Sequence, residues 1–166
     1  MNVRLAVRRI ARIAALAAPT LALPLATALP AHAAFPPPGT RFLIETTISG
    51  TTYCLQINPI PADSSLVFAA CSTGGTDPAQ AWTHDTLTGH VRSVQSGKCI
   101  DVDGEQGFCP VLPASYWTQD DEGHVNNLVL VGTYFWQVTP DISFPGRLVT
   151  TKSASNASIF HFTELS

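Results

Sequence analysis

From residue 41 onward, short apolar-rich runs of β-type residues alternate with polar punctuation. The runs fall at 41–45, 53–57, 66–70, 82–84, 90–94, 99–102, 107–109, 117–119, 125–131, 135–138, 147–150 and 159–162. Gly, Pro, Asn, Asp and Ser occupy nearly every gap, as hairpin turns require. No stretch beyond the first 33 residues sustains a 3.6-residue apolar period, so the pattern predicts short strands and little helix.

The same pattern is written three times. Ala79-Gln80-Ala81-Trp82-Thr83-His84-Asp85 is followed by Gly89-His90-Val91, and Ala114-Ser115-Tyr116-Trp117-Thr118-Gln119-Asp120 by Gly123-His124-Val125. A worn third copy, Ala157-Ser158-Ile159-Phe160, lies near the C-terminus. The segments upstream agree as well. Cys54, Cys99 and Phe135 hold one position, and Gln56, Asp101 and Gln137 hold another two residues later. A period of this size marks a unit that cannot bury its apolar face alone. Twelve strands in three sets of four predict a closed β architecture around a shared core, with its edges protected. Trp82, Trp117 and Phe160 are its expected central anchors.

Residues 1–33 stand outside this pattern. Arg4, Arg8, Arg9 and Arg12 precede an apolar stretch broken by Pro19 and Pro24, and Ala31-His32-Ala33 is a small-x-small cleavage site. This reads as an export signal. Its uninterrupted apolar runs fall short of the ~20 residues that span a bilayer. Arg8-Arg9 admits twin-arginine export, although the flanking residues suit the general route better. The expected mature domain is 34–166, secreted. Removal of the signal takes four of the nine basic residues, leaving five against twelve acidic ones, a net charge of −7. Such a surface disfavours nucleic acid and anionic membranes as partners.

All four cysteines lie beyond the signal, and an even count in an exported chain points to disulfides. Pairing within repeats gives Cys54–Cys71 and Cys99–Cys109, with two other connectivities open. No Cys-x-x-Cys and no His at ligand spacing suggests a metal site, and no cofactor motif is present.

Cys54-Leu55-Gln56-Ile57, then Cys71, then Gln80-Ala81-Trp82 resembles one repeat of a ricin B-type lectin domain. Cys99-Ile100-Asp101-Val102 resembles the start of the next. The resemblance spans about 40–166 and implies a β-trefoil of three four-stranded repeats, stapled by disulfides. It also implies a shallow sugar pocket per repeat, made from the Asp of Cys-x-Asp, an aromatic near the second Cys, and a polar residue before Gln-x-Trp. A carboxylate accepts charge-assisted hydrogen bonds from vicinal hydroxyls, and an aromatic face packs on the apolar side of a sugar ring.

The parts are unevenly kept. The second repeat retains Asp101, with Phe108 or Tyr116 as its aromatic, and has Ala114 in place of the amide. The first has Gln56, Phe68 and Gln80, with Ala79 at the amide position; Gln80 also suits a turn-holding role. The third offers Gln137 and Asn156 without cysteine. The resemblance therefore implies non-catalytic carbohydrate binding through Asp101, Phe108 and Tyr116 first, and through Gln56, Phe68 and Gln80 second. The alternative is a protein-binding trefoil, either a secreted hydrolase inhibitor or a toxin's targeting subunit, using the loops at 58–65, 140–145 and 152–158. Asp101-Val102-Asp103-Gly104-Glu105 contains part of a calcium-loop pattern but lacks EF-hand spacing. Asp120-Asp121-Glu122 reads as a solvated hairpin tip, and the Gly-His-Val histidines, His90 and His124, as turn residues. No hydrolase motif is present.

Overall fold

The structure is a computed structural model that describes residues 35–60, 62–85, 87–110, 116–129 and 132–166. The expected export signal at 1–33, Ala114 and the end of the run at 125–131 lie outside the described residues.

Twelve strands are present among the described residues: β1 Arg41–Ile48, β2 Thr51–Ile57, β3 Leu66–Ala69, β4 Trp82–Asp85, β5 His90–Ser93, β6 Cys99–Ile100, β7 Gln106–Gly107, β8 Trp117–Gln119, β9 Val125–Val129, β10 Gly132–Thr139, β11 Gly146–Thr151 and β12 His161–Glu164. Each expected run corresponds to one strand. The last begins at His161 rather than 159, because Ile159 is spent on an isolated bridge to His124.

Six strands close into a barrel. β1 pairs with β4 and with β12, β4 with β5, and β8 with β9, all antiparallel. The two remaining seams are closed by Trp117 N–H to Gly89 O at 2.8 Å and by Phe160 N–H to Gly123 O at 3.0 Å. The hairpins β2–β3, β6–β7 and β10–β11 cap one end. They are tied together by β3–β11 pairing, a Ser65–Glu105 bridge and the Thr150 hydroxyl on Val102 O at 2.8 Å. This is the β-trefoil that the triplicated pattern predicts, and closure leaves no long free edge.

Trp82, Trp117 and Phe160 are fully buried, together with Leu55, Ile100 and Trp136 from the caps. Trp82 Nε1 donates to Leu55 O at 3.0 Å, and Trp117 Nε1 donates to Ile100 O at 2.9 Å, so two repeats tie barrel to cap identically. Phe160 has no indole. The corresponding carbonyl, Trp136 O, accepts from Ser158 N at 3.0 Å. Disulfides join Cys54 to Cys71 and Cys99 to Cys109, each with Cα atoms 4.9 Å apart.

The far end of the barrel is shaped by the residue two places after each anchor: His84, Gln119 and Phe162. Phe35 plugs this end, its ring 4.3 Å from both His84 and Phe162 in stacked contact. The Pro-rich segment that follows it, Pro36-Pro37-Pro38-Gly39, holds it there. Its turn, with Thr40 N–H on Pro37 O at 3.1 Å, directs an aromatic into the core.

Candidate carbohydrate site

In the first repeat the polar residues close on one another. Gln80 ends a short 3-10 turn, Pro78–Gln80, capped by Asp77, whose Oδ1 accepts Ala79 N–H at 2.9 Å. Its Oε1 accepts Ser72 N–H at 2.8 Å, and its Nε2 donates to Ala70 O at 2.9 Å and to Gln56 Oε1 at 3.1 Å. The side chain is buried, so Gln80 holds the 70–80 loop instead of facing a ligand. Phe68, the aromatic that the resemblance implied for this repeat, is fully buried. It sits directly across the ladder from Leu55, and paired residues share a face, so both point into the core. Its ring stacks toward Phe160 at 6.2 Å and has no exposed face. Gln56, on the opposite face, stays half-buried as Gln80's partner.

The second repeat is arranged differently. Asp101 N–H donates to Glu105 O at 2.9 Å, and Asp101 O accepts from Gly104 N–H at 3.1 Å. The turn needs Gly104 because φ is 81° there and the Val149 backbone passes close by. Asp101 Oδ1 caps the turn, accepting Asp103 N–H at 3.0 Å and Glu105 N–H at 3.2 Å. Oδ2 carries no hydrogen bond from the described residues. It faces Gly107, where a Cβ would lie 3.0 Å away, so the absent side chain keeps this oxygen approachable. Burial raises the Asp101 pKa, opposed by the two turn N–H groups and reinforced by Asp103 and Glu105. Glu105 is occupied by Arg147 at 3.0 Å and the Ser64 hydroxyl at 2.6 Å.

Phe108 follows Gly107 on the same hairpin and is 93% exposed, an aromatic face free for contact. Tyr116 is partly exposed and anchored elsewhere, its ring pressed on the backbone at Gly89. The hairpin thus brings Asp101 and Phe108 onto one element and leaves Tyr116 on another. In the third repeat Gln137 is half-buried and Asn156 exposed. Ser158 stands at Gln80's position and accepts Val138 N–H at 2.9 Å.

Three groups of ligand-type atoms lie close together. Two of them, His90 with Cys99 and Cys109 and Glu45 with Cys54 and Cys71, rest on sulfurs already bonded to each other, and metals bind thiolates. The third is the turn Asp120–His124. His124 Nδ1 lies 3.2 Å from Asp120 Oδ2 and 3.5 Å from Glu122 Oε2, while Asp120 Oδ1 accepts two backbone N–H groups. This is an internally bonded hairpin tip, and His124 is its turn residue.

Sequence reasoning missed a group on the barrel wall. Thr83, Asp85, His90 and Arg92 line a recess of about 320 Å³ with Pro38 and Gly39. The signal available was the pairing of β4 with β5, which sets Thr83 opposite Arg92 and Asp85 opposite His90.

No protein-family model matches the sequence, and no curated protein matches it. Among solved structures, the chain is similar to a mutant of the earthworm lectin C-terminal domain, solved in complex with 6'-sialyllactose. The TM-score is 0.58 at 22% identity, covering 75% of this chain and 98% of that one. It is also similar to the C-half of the earthworm R-type lectin in complex with GalNAc, with a TM-score of 0.57 at 21% identity and the same coverage. These likenesses establish the fold.

Proposed function

We propose that the protein is a secreted, non-catalytic carbohydrate-binding protein of ricin B-type lectin character, with one working pocket in its second repeat and degenerate pockets elsewhere. The observation that carries this reading is the half-buried Asp101 carboxylate, with one oxygen fixed by the turn and the other open beside Gly107. Vicinal sugar hydroxyls donate to that oxygen, and Phe108 supplies the apolar platform. The sugars held by the earthworm lectins support galactose-type ligands as first probes. The first repeat lacks both carboxylate and outward aromatic, and the third lacks the carboxylate. A single shallow pocket binds at roughly millimolar strength, about −4 kcal/mol. Firm attachment then requires multivalent targets. A glycan array probed with the protein and with Asp101→Ala tests this: signal is expected for the parent and lost in the variant, and retained signal removes Asp101 from the site.

One observation favours a second reading, a protein-binding trefoil. Ile142 is fully exposed on the loop at 140–145, where Asp141 Oδ1 holds Ser143 N–H at 2.8 Å and Phe144 N–H at 3.1 Å. Capture of a secreted hydrolase, abolished by Ile142→Ser, together with a blank glycan array, would establish it in place of the first.

A further inference from the structure

We infer that the recess on the barrel wall between β1, β4 and β5 is a second binding site, for a sugar residue bearing a carboxylate. It shares no residue with the Asp101 pocket and does not depend on it. Its walls are Pro38, Gly39, Thr83, His84, Asp85, His90 and Arg92, and its volume of about 320 Å³ lies within the range of small-ligand pockets.

The register explains why these groups converge. Arg41 pairs with Thr83 across β1 and β4, and Thr83 pairs with Arg92 across β4 and β5. Directly paired residues share a face, about 5 Å apart per strand, so two arginines flank one threonine on the outer wall. Asp85 and His90 form the next pair along the same face. Arg41 and Arg92 are exposed and make no ion pair among the described residues. Beyond residue 33 the chain has only five basic side chains against twelve acidic ones. Of these five, Arg147 is held by Glu105 and Lys152 lies over Tyr134. Two of the remaining three thus collect beside one recess in a chain that is acidic elsewhere. At the places related to Arg92 in the other repeats stand Asn126, opposite Thr118, and Glu45, opposite His161, so the positive charge belongs to this seam alone.

The donor set selects the ligand class. Arg92 offers a fork matched to a carboxylate, with Arg41 adding to the local field. Asp85 uses Oδ1 on Leu87 N–H at 2.9 Å and Thr88 N–H at 3.4 Å, and its carboxylate takes hydrogen bonds only from donors. A sugar hydroxyl is such a donor; phosphate has little to give it and is repelled. His90 is mostly buried, and burial holds its pKa down, with Asp85 and Arg92 acting in opposite senses. The neutral ring then supplies one donor and one acceptor for hydroxyls. Pro38 forms an apolar side wall. Charge at one end and hydroxyl partners at the other describe a uronate or another sugar acid.

Methyl β-glucuronide titrated into ¹⁵N-labelled protein tests the site, with methyl β-glucoside and inorganic phosphate as controls. The glucuronide is expected to shift the His90 ring and the Thr83 and Arg92 amides, and to weaken as salt rises. Arg92→Gln should weaken binding at least tenfold, Arg92→Lys should restore part of it, and Asp101→Asn should leave it unchanged. Arg92→Gln keeps its fold, checked by thermal melting, because the side chain lies in solvent. Equal shifts from the glucoside, saturation by phosphate alone, or loss of the response in Asp101→Asn would each overturn the assignment. Failure here with intact galactoside binding at Asp101 leaves the first site standing.

Discussion

The first and second repeats share a scaffold and differ in what they do with one polar position. Both place a cysteine and a buried aliphatic residue in the first strand of the cap hairpin, with a polar residue next in the chain, and both send an indole N–H to the aliphatic residue's carbonyl. In the first, Gln56 is met by Gln80, which also holds Ala70 and Ser72. In the second, Asp101 satisfies its own turn with one oxygen and leaves the other open. Buried polar groups must be paired, and a repeat that pairs them internally has none to offer a ligand. On the proposed reading, the first repeat offers no sugar pocket because its hydrogen bonds close on one another.

The shared part should break hardest. Trp82→Ala and Trp117→Ala each remove a fully buried anchor and should cost about 3–5 kcal/mol in urea unfolding. Trp82→Phe, which mimics the third repeat, should cost less, because a phenyl ring still fills much of the site while the bond to Leu55 O and part of the ring volume are lost. The staples come next. Breaking Cys54–Cys71, which closes 17 residues, should cost about 3 kcal/mol by chain entropy. Cys99–Cys109, which closes 10, should cost slightly less. Gln80→Ala should follow at about 1–3 kcal/mol, since Ser72 N–H and Ala70 O lose their partner, with sugar affinity unchanged. Asp101→Asn should move stability by less than about 1 kcal/mol, since an amide oxygen still caps the turn, while removing sugar binding.

A pH titration sharpens a second asymmetry. His84 occupies a place held by Phe162 in the third repeat. Burial is the main cause lowering its pKa, partly offset by the Trp117 carbonyl and Asp85. The unfolded chain therefore takes up a proton more readily than the folded one. Stability from this group is complete above about pH 6.5 and falls as pH drops below it. His90 acts in the same sense. Chemical denaturation at pH 7.5 and 5 should show the loss, and His84→Phe should reduce it.

The fold was legible because it is repeated. Each strand is short and weakly marked, yet three copies in one order mark the anchors and the cap positions together, while the disulfide connectivity stayed open until the fold brought Cys54 to Cys71 and Cys99 to Cys109. The sites were less legible because they depend on which face a residue takes. Leu66, Val67 and Phe68 are all buried, so no alternation reveals that Phe68 shares Leu55's face. His84, Gln119 and Phe162 share a place but no chemistry, which hid the barrel's far end and the role of Phe35. The recess at Arg92 arises from pairing between strands of different repeats, and one repeat read alone does not contain it.

A ¹H–¹⁵N titration with N-acetylgalactosamine tests the central claim most directly. The account predicts that the largest shifts fall on the Asp103 and Glu105 amides, whose hydrogen bonds end on Asp101 Oδ1, and that the Gln80 side-chain amide stays still. Shifts centred on Gln56 and Gln80, or none at saturating sugar, would contradict it.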